Sequence, residues 1–377
     1  MRVSRLQLTS FRTYASLDVS FGPGPQVIVG PNATGKTNLL ESMVVLGSGR
    51  SHRLSLDGDL IGWGADFARL EATIEAASGF ATVELVIAST PAGGARKRLH
   101  VNGVGRRPAA LPATLPVVLF APEDMLLISG SPGLRRAAID TLVAQTKPAA
   151  GATLANYARA VTQRNNLLRA VRDGTAAPDE LRYWDAVVVD DGALIVDWRR
   201  SVLEELAAPL AAAHAEIAPA EERLELSYVT NALPLADEST RDALRRRLTE
   251  TAQKEQWNGA TLIGPHRDDI GFASGGRDLA GVASRGQQRT AILAFKLAQL
   301  DLVRGALGEV PLLLLDDVFS ELDPQRRAHL VRRIGELPQA FVTTTTTDDL
   351  DPALVAAATV WRVSPGALVP VVGTSSR

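Results

Sequence analysis

The stretch Val27-Ile28-Val29-Gly30-Pro31-Asn32-Ala33-Thr34-Gly35-Lys36-Thr37-Asn38-Leu39-Leu40 decides how the rest of the chain is read. An apolar run feeds Gly30-x-x-x-x-Gly35-Lys36-Thr37. Leu39, Leu40, Met43, Val44 and Gly47 then follow at helical spacing. Strand, glycine-rich loop and helix in that order make a phosphate loop. Its glycines let the backbone curl until several N–H groups point at one β-phosphate. Lys36 reaches the β- and γ-phosphates, and the Thr37 hydroxyl suits Mg²⁺. The following helix turns its positive end to the anion. Residues Gly30 to Asn38 are therefore expected to cradle ATP with Mg²⁺, with Lys36 as a catalytic group.

A phosphate loop predicts a second apolar strand ending in an acid. Leu312-Leu313-Leu314-Leu315-Asp316-Asp317 supplies it. Asp316 is expected to support the metal, and Asp317 to orient or deprotonate the attacking water. Asp is one methylene shorter than Glu, so slow hydrolysis is expected. Ser320-Glu321-Leu322-Asp323 follows at once and resembles the D-loop of ABC-type ATPases, which runs along the interface of two nucleotide-bound heads.

Further back, Ser284-Arg285-Gly286-Gln287-Gln288-Arg289 opens an apolar helix. Two adjacent glutamines add nothing to a core. A hydroxyl, free N–H groups and the dipole at a helix start make a phosphate cradle. The segment resembles the ABC signature motif. A chain whose own nucleotide is already held by Gly30–Thr37 has no use for a second cradle on it. Ser284, Gly286, Gln287 and Gln288 are therefore expected to receive the γ-phosphate of ATP on another copy, giving an ATP-dependent homodimer.

Composition sets the limits. The chain has 377 residues, 46% hydrophobic and 5% aromatic, with a net charge of −2. That suffices for two or three compact units and leaves no general cationic field, so any nucleic-acid contact must be local. There is no cysteine, hence no disulfide or thiolate zinc site. No segment reaches the ~20 apolar residues of a membrane span, and the N-terminal residues lack the apolar run of a signal peptide. A cytoplasmic, nucleoid-associated location with no membrane partner is the expectation.

Alternation in Leu70–Ala76 and Phe80–Ala88 predicts strands across residues 1–125, and Asn102-Gly103 predicts a hairpin turn. Helical periodicity dominates residues 126–257. Alternating strands and helices return over residues 258–377: a helix after Gln288, the leucine strand, a helix from about Pro324 and a strand at Ala340–Thr346. The fold class expected is α/β, an ABC/SMC-like phosphate-loop ATPase head (a β-rich lobe plus a RecA-like α/β core). Residues 1–125 and 258–377 form the head, and 126–257 an inserted helical arm.

Several strings in shared order resemble the RecF family, recombination-mediator ATPases related to SMC heads. They are Leu8–Phe21, Gly30–Met43, Gly130–Asp140, Gln163–Leu168, Gly264–Asp269, Ser284–Thr290 and Leu312–Asp323. The most specific are Gly264-Pro265-His266-Arg267-Asp268-Asp269 and Gly286-Gln287-Gln288-Arg289-Thr290. The short insertion, without sustained heptads, fits this family better than long-armed SMC proteins. The resemblance implies a weak, DNA-stimulated ATPase of recombinational repair, replication restart and the SOS response. It implies recombinase loading at single-strand gaps, and RecR and RecO as partners. It also implies that Arg12 and Thr13, within Phe11-Arg12-Thr13-Tyr14, help hold nucleotide.

A transporter ATPase subunit is the alternative. No histidine stands in the switch position after Ala340–Thr345, and no convincing Q-loop glutamine precedes the arm, so a threonine of Thr343–Thr345 is a candidate for phosphate sensing. A nuclease lacks a further cluster of acids and histidines. Arg96-Lys97-Arg98 and Arg106-Arg107 are the candidate contacts to a DNA backbone. With few aromatics beside them, they suit duplex at a gap or junction better than stacked single strands. Arg245-Arg246-Arg247 reads as a solvated helix face, and the Gly264–Asp269 segment as structural, near the nucleotide.

Overall fold

The computed structural model describes residues 1–371 apart from 55, 92 and 93, with the side chain of Glu321 outside the described set. The chain divides into two compact units. One comprises Met1–Met125, Ala212–Glu221 and Arg285–Arg377; the other comprises Leu126–Ala211 and Glu222–Ser284.

Two six-stranded sheets build the first unit. One is antiparallel throughout, in the order Tyr14–Ser20, Arg2–Phe11, Phe67–Ala76, Gly79–Ser89, Ala95–Val101, Val104–Arg106. Its alternating strands place Leu70, Ala72, Ile74, Val83, Leu85 and Ile87 in the core. Asn102 and Gly103 turn the last hairpin, at φ 52° and 74°. Only a primed turn, with positive φ at both central residues, fits that geometry.

The other sheet runs Ala367–Pro370, Thr359–Ser364, Gly24–Val29, Gln339–Thr344, Leu312–Asp316, Val117–Phe120. All its pairs are parallel except the first. Leu312–Asp316 and Gln339–Thr344 are buried at every position, as continuous apolar runs in a parallel sheet require. The helix Lys36–Ser48 is buried over most of its length. Its Leu39, Leu40, Met43 and Leu46 share one core with Leu6 and Leu70 of the first sheet and Leu312, Leu314 and Phe341 of the second. Gln339 clasps the two sheets: its amide accepts from Val3 N at 2.8 Å and donates to the carbonyls of Val3 and Gly22 at 3.0 and 2.9 Å.

In the second unit the helices Pro132–Thr146, Ala150–Arg172, Thr240–Asn258 and most of Arg182–Ile217 accompany a three-stranded sheet. That sheet has the order Arg277–Asp278, Asp269–Ser274, Leu224–Val229. Two expectations change here. The insertion is not purely helical, and it runs to Ser284 instead of ending at 257. The physical reason is the antiparallel pairing of Asp269–Ser274 with Leu224–Val229, which keeps the later strand with the insertion. The last turn of Arg182–Ile217 goes the other way and counts with the first unit.

The Gly264–Asp269 segment is a structural knot of the second unit. His266 Nδ1 lies 2.7 Å from the Tyr157 hydroxyl, and Nε2 lies 3.2 Å from the Thr261 carbonyl. A carbonyl only accepts, so Nε2 carries the proton and Nδ1 accepts from Tyr157. Asp268 accepts from Tyr228 at 2.6 Å, and Asp269 pairs bidentately with Arg135 at 2.8 Å. Among the described residues no group of acids and histidines could hold a metal ion. No helix among them is long and apolar enough to cross a membrane.

Candidate active site

The phosphate loop follows the strand Gly24–Val29 and ends at the helix starting with Lys36. Gly35 caps that helix at φ 109°. A Cβ there would stand 3.1 Å from both Thr13 Oγ1 and Tyr14 Oη, so glycine is required on both counts. Tyr14, wholly buried, donates its hydroxyl to the Gly35 carbonyl at 3.0 Å, and burial pushes its pKa up. At Gly30 a Cβ would meet the Val363 carbonyl at 2.9 Å. Between the glycines Ala33 takes φ 63°, and the Thr34 hydroxyl donates to the Pro31 carbonyl at 2.8 Å. Pro31, Asn32 and Ala33 are exposed, and Thr37 and Asn38 are half-buried.

Lys36 is buried, with Nζ donating to the carbonyls of Gly30 at 2.6 Å and Pro31 at 2.9 Å. Burial holds its pKa below the ordinary lysine value, while Asp317 and Asp316 pull the other way. That places both acids within electrostatic reach of the ammonium. Topology accounts for it: Gln339–Thr344 lies between the phosphate-loop strand and Leu312–Asp316. Asp316 is aligned with Thr343, and Val29 with Thr344. The Thr343 hydroxyl donates to Asp316 Oδ1 at 2.6 Å and accepts from Asp317 N at 3.0 Å. One threonine thus fixes both acids, and Asp317 sits at φ 51°. A hydroxyl on Thr37 and a carboxylate on Asp316 are hard oxygen donors, the set that suits Mg²⁺ with a nucleotide.

Thr13 lies beside the phosphate loop, with Oγ1 accepting from Asn38 Nδ2 at 3.0 Å. Arg12 does not offer its fork to the loop. Its Nε donates to Glu41 at 2.8 Å and an η nitrogen to the Asp59 carbonyl at 3.2 Å. Glu41 is fully buried on the phosphate-loop helix, and a buried carboxylate must be paired. Ser51 completes its shell at 2.5 Å, folding the segment after the helix back along it. A carboxylate in the mostly apolar run Leu39–Leu46 was the available sign that a cation had to come from elsewhere. Beside this segment burial lowers the pKa of His52 against the pull of Glu41, Glu123 and Asp316, so its ring is neutral.

Gly286, Gln287 and Gln288 occupy the first turn of the helix Arg285–Leu307, which starts earlier than the sequence suggested. Ser284 precedes it and counts with the second unit. Ser284, Arg285 and Gln287 are exposed, whereas Thr290 to Leu300 are buried. Asp323 caps the helix Pro324–Gly335, accepting from Arg326 N at 2.9 Å.

Lys97, of the candidate DNA set, is already engaged within the chain. Its Nζ lies 2.5 Å from Asp57 Oδ1 and 2.5 Å from the Gly49 carbonyl. Strand alternation sends Arg96 and Arg98 to the opposite, exposed face, and Arg106 and Arg107 are exposed too. Arg98, Arg106 and Arg107 line one open surface concavity together with Lys97 and His100. The arginines 245–247 are ion-paired with Asp242, Glu238 and Glu250, in keeping with a solvated face.

The phosphate loop, the acid pair at the end of a parallel strand of the same sheet and the exposed start of the helix Arg285–Leu307 together define an ATPase head of the SMC type. The chain belongs to the RecF family: residues 2–364 match the RecF/RecN/SMC N terminal domain model, and RecF proteins align along nearly the whole chain. The "DNA replication and repair protein RecF" of Heliobacterium modesticaldum is 38% identical, covering 98% of this chain and 99% of the relative. That of Bacillus subtilis is 37% identical, covering 98% and 100%. A solved structure of the recombination mediator protein RecF with ATP in the RecFOR pathway superposes with a TM-score of 0.88. It has 28% identity and covers 98% of this chain and 97% of the other. An SmcHead structure at 16% identity and TM-score 0.53 shares the fold.

Proposed function

We propose that the chain is an ATP-driven dimerisation switch on DNA, active in recombinational repair and replication restart. Two copies sandwich two ATP molecules, each held by Gly30–Asn38 of one protomer and by Ser284, Gly286, Gln287 and Gln288 of its partner. The observation that carries this reading is the second phosphate cradle, an exposed helix start that the chain's own nucleotide does not need.

Within a protomer, Lys36 holds the β- and γ-phosphates. Thr343 fixes Asp316 and Asp317, and Asp317 orients the attacking water and takes its proton. Thr37 and Asp316 are the residues that would hold Mg²⁺, which supplies charge neutralisation on the phosphate oxygens. Hydrolysis is slow and stimulated by DNA, and it releases the dimer. Arg96, Arg98, Arg106 and Arg107 contact the duplex backbone beside a single-strand gap or junction, without reading bases. Family membership supports recombinase loading with RecR and RecO as partners, in the cytoplasm at the nucleoid.

The test is light scattering with and without ATP, with and without gapped duplex, on wild type and Ser284→Arg. Wild type is expected to dimerise with ATP and the variant to remain monomeric. A wild type that stays monomeric with ATP and gapped duplex defeats the reading.

A further inference from the structure

Arg326, on the helix Pro324–Gly335, has a side chain only 19% exposed and is held by three other parts of the first unit. One η nitrogen pairs with Asp323, the last residue of the D-loop-like segment. The other donates to the hydroxyl of Thr290, on the cradle helix. That same nitrogen lies 3.8 Å from Glu221 Oε1, just beyond the end of the long helix Arg182–Ile217. Thr290 is fully buried and donates in turn to the carbonyl of Gly286, at 3.0 Å, inside the cradle turn itself. A planar fork with fixed donor directions can join three partners in one geometry, which a single ammonium cannot.

The same helix repeats these links further along. His329 Nε2 lies 3.6 Å from Glu216 Oε2 on the long helix. Arg333 reaches Asp301 on the cradle helix at 2.5 Å. Glu221 is itself 3.5 Å from His214 Nε2, so its carboxylate closes back on the helix it terminates. Residues 212–221 thus meet this short helix at Arg326, a charged contact, and at His329, which burial keeps neutral. The helix they end continues back into the second unit.

We propose that Arg326 is a positioning residue that couples the cradle turn and Asp323 to residues 212–221. Engagement of the partner's ATP then tightens the end of the long helix. The proposal rests on the two-head reading above. A phosphate seated on the Gly286–Gln288 turn draws on the N–H groups of that turn. The Gly286 carbonyl, Thr290 hydroxyl and Arg326 guanidinium transmit its position to Glu221.

The experiment is hydrogen exchange on the full chain with and without ATP and Mg²⁺, alongside light scattering and binding of a fluorescent ATP analogue. In wild type, residues 285–290, 320–326 and 212–221 should gain protection together. In Arg326→Gln, analogue binding should be retained while dimerisation weakens by about 10-fold or more, the scale of lost charge-assisted hydrogen bonds. In Glu221→Gln, dimerisation and the first two segments should respond as in wild type, while 212–221 loses its response to ATP. A merely structural role for Glu221 would not separate these segments.

Should Arg326→Gln fail to fold, Glu221→Gln decides alone. A 212–221 segment that still responds in Glu221→Gln, or that ignores ATP in a wild type that dimerises, overturns the proposal and leaves the two-head reading standing. A wild type that never dimerises defeats that reading instead.

Discussion

Asp317 is the residue at which local geometry and chemistry meet most closely. Its φ of 51° is uncommon for any residue but glycine and most tolerable for Asp and Asn. Asp317→Asn should therefore keep the backbone and ATP affinity while losing the base. Turnover should fall by about 10²-fold or more, and single-turnover hydrolysis that matches wild type would remove Asp317 from the mechanism. Thr343→Val deletes the hydroxyl that Asp316 and Asp317 N share. It should cost about 1–3 kcal/mol in urea unfolding, because the buried Asp316 carboxylate loses its donor and the half-buried Asp317 N–H this acceptor. The placement of residues was legible in the sequence where it follows the backbone motif, as at Lys36 and Thr37 where the loop enters its helix. The hold of Arg12 on Glu41 was not legible because Glu41 lies on a helix that no local pattern connects to it. The ion pair of Lys97 with Asp57 was not legible because a run of basic residues hides the alternation of the strand beneath.

At the level of elements, the phosphate-loop helix is placed by a close approach at Gly47. A Cβ there would meet the Leu115 carbonyl and Val117 Cγ2, each at 2.6 Å. Gly47→Ala should destabilise the protein by about 1–3 kcal/mol in urea unfolding, although alanine is the better helix former. A neutral or stabilising result would mean the helix can shift away from Val117. His266 makes a second prediction. Burial lowers its pKa to about 4, below the 6.5 of an unperturbed histidine. The unfolded chain therefore binds more protons between those values. The stability contributed by neutral His266 is present above pH 6.5 and is lost as the pH falls through about 4. His266→Gln can still accept from Tyr157 and donate to Thr261 but does not titrate. Its stability deficit relative to wild type should shrink between pH 7 and pH 4.5, on the order of 2 kcal/mol. A deficit constant with pH would show that His266 does not titrate on unfolding.

Over the whole molecule, the head was legible because its chemistry is written in contiguous strings. The insertion's edge was not, because Leu224–Val229 and Asp269–Ser274 pair across an intervening helix and only long-range register joins them. The nucleotide sheet has the same non-local character. The strand that bears the phosphate loop is flanked by Gln339–Thr344 and Thr359–Ser364, while the loop itself ends by residue 37. On a ribosome, then, the nucleotide-binding loop is made long before the strands that become its neighbours. The second unit, complete by Ser284, can fold while the strand Gly24–Val29 still waits with open edges. Synthesis leaves the chain unable to flank its nucleotide loop on both sides until Ser364 has been translated.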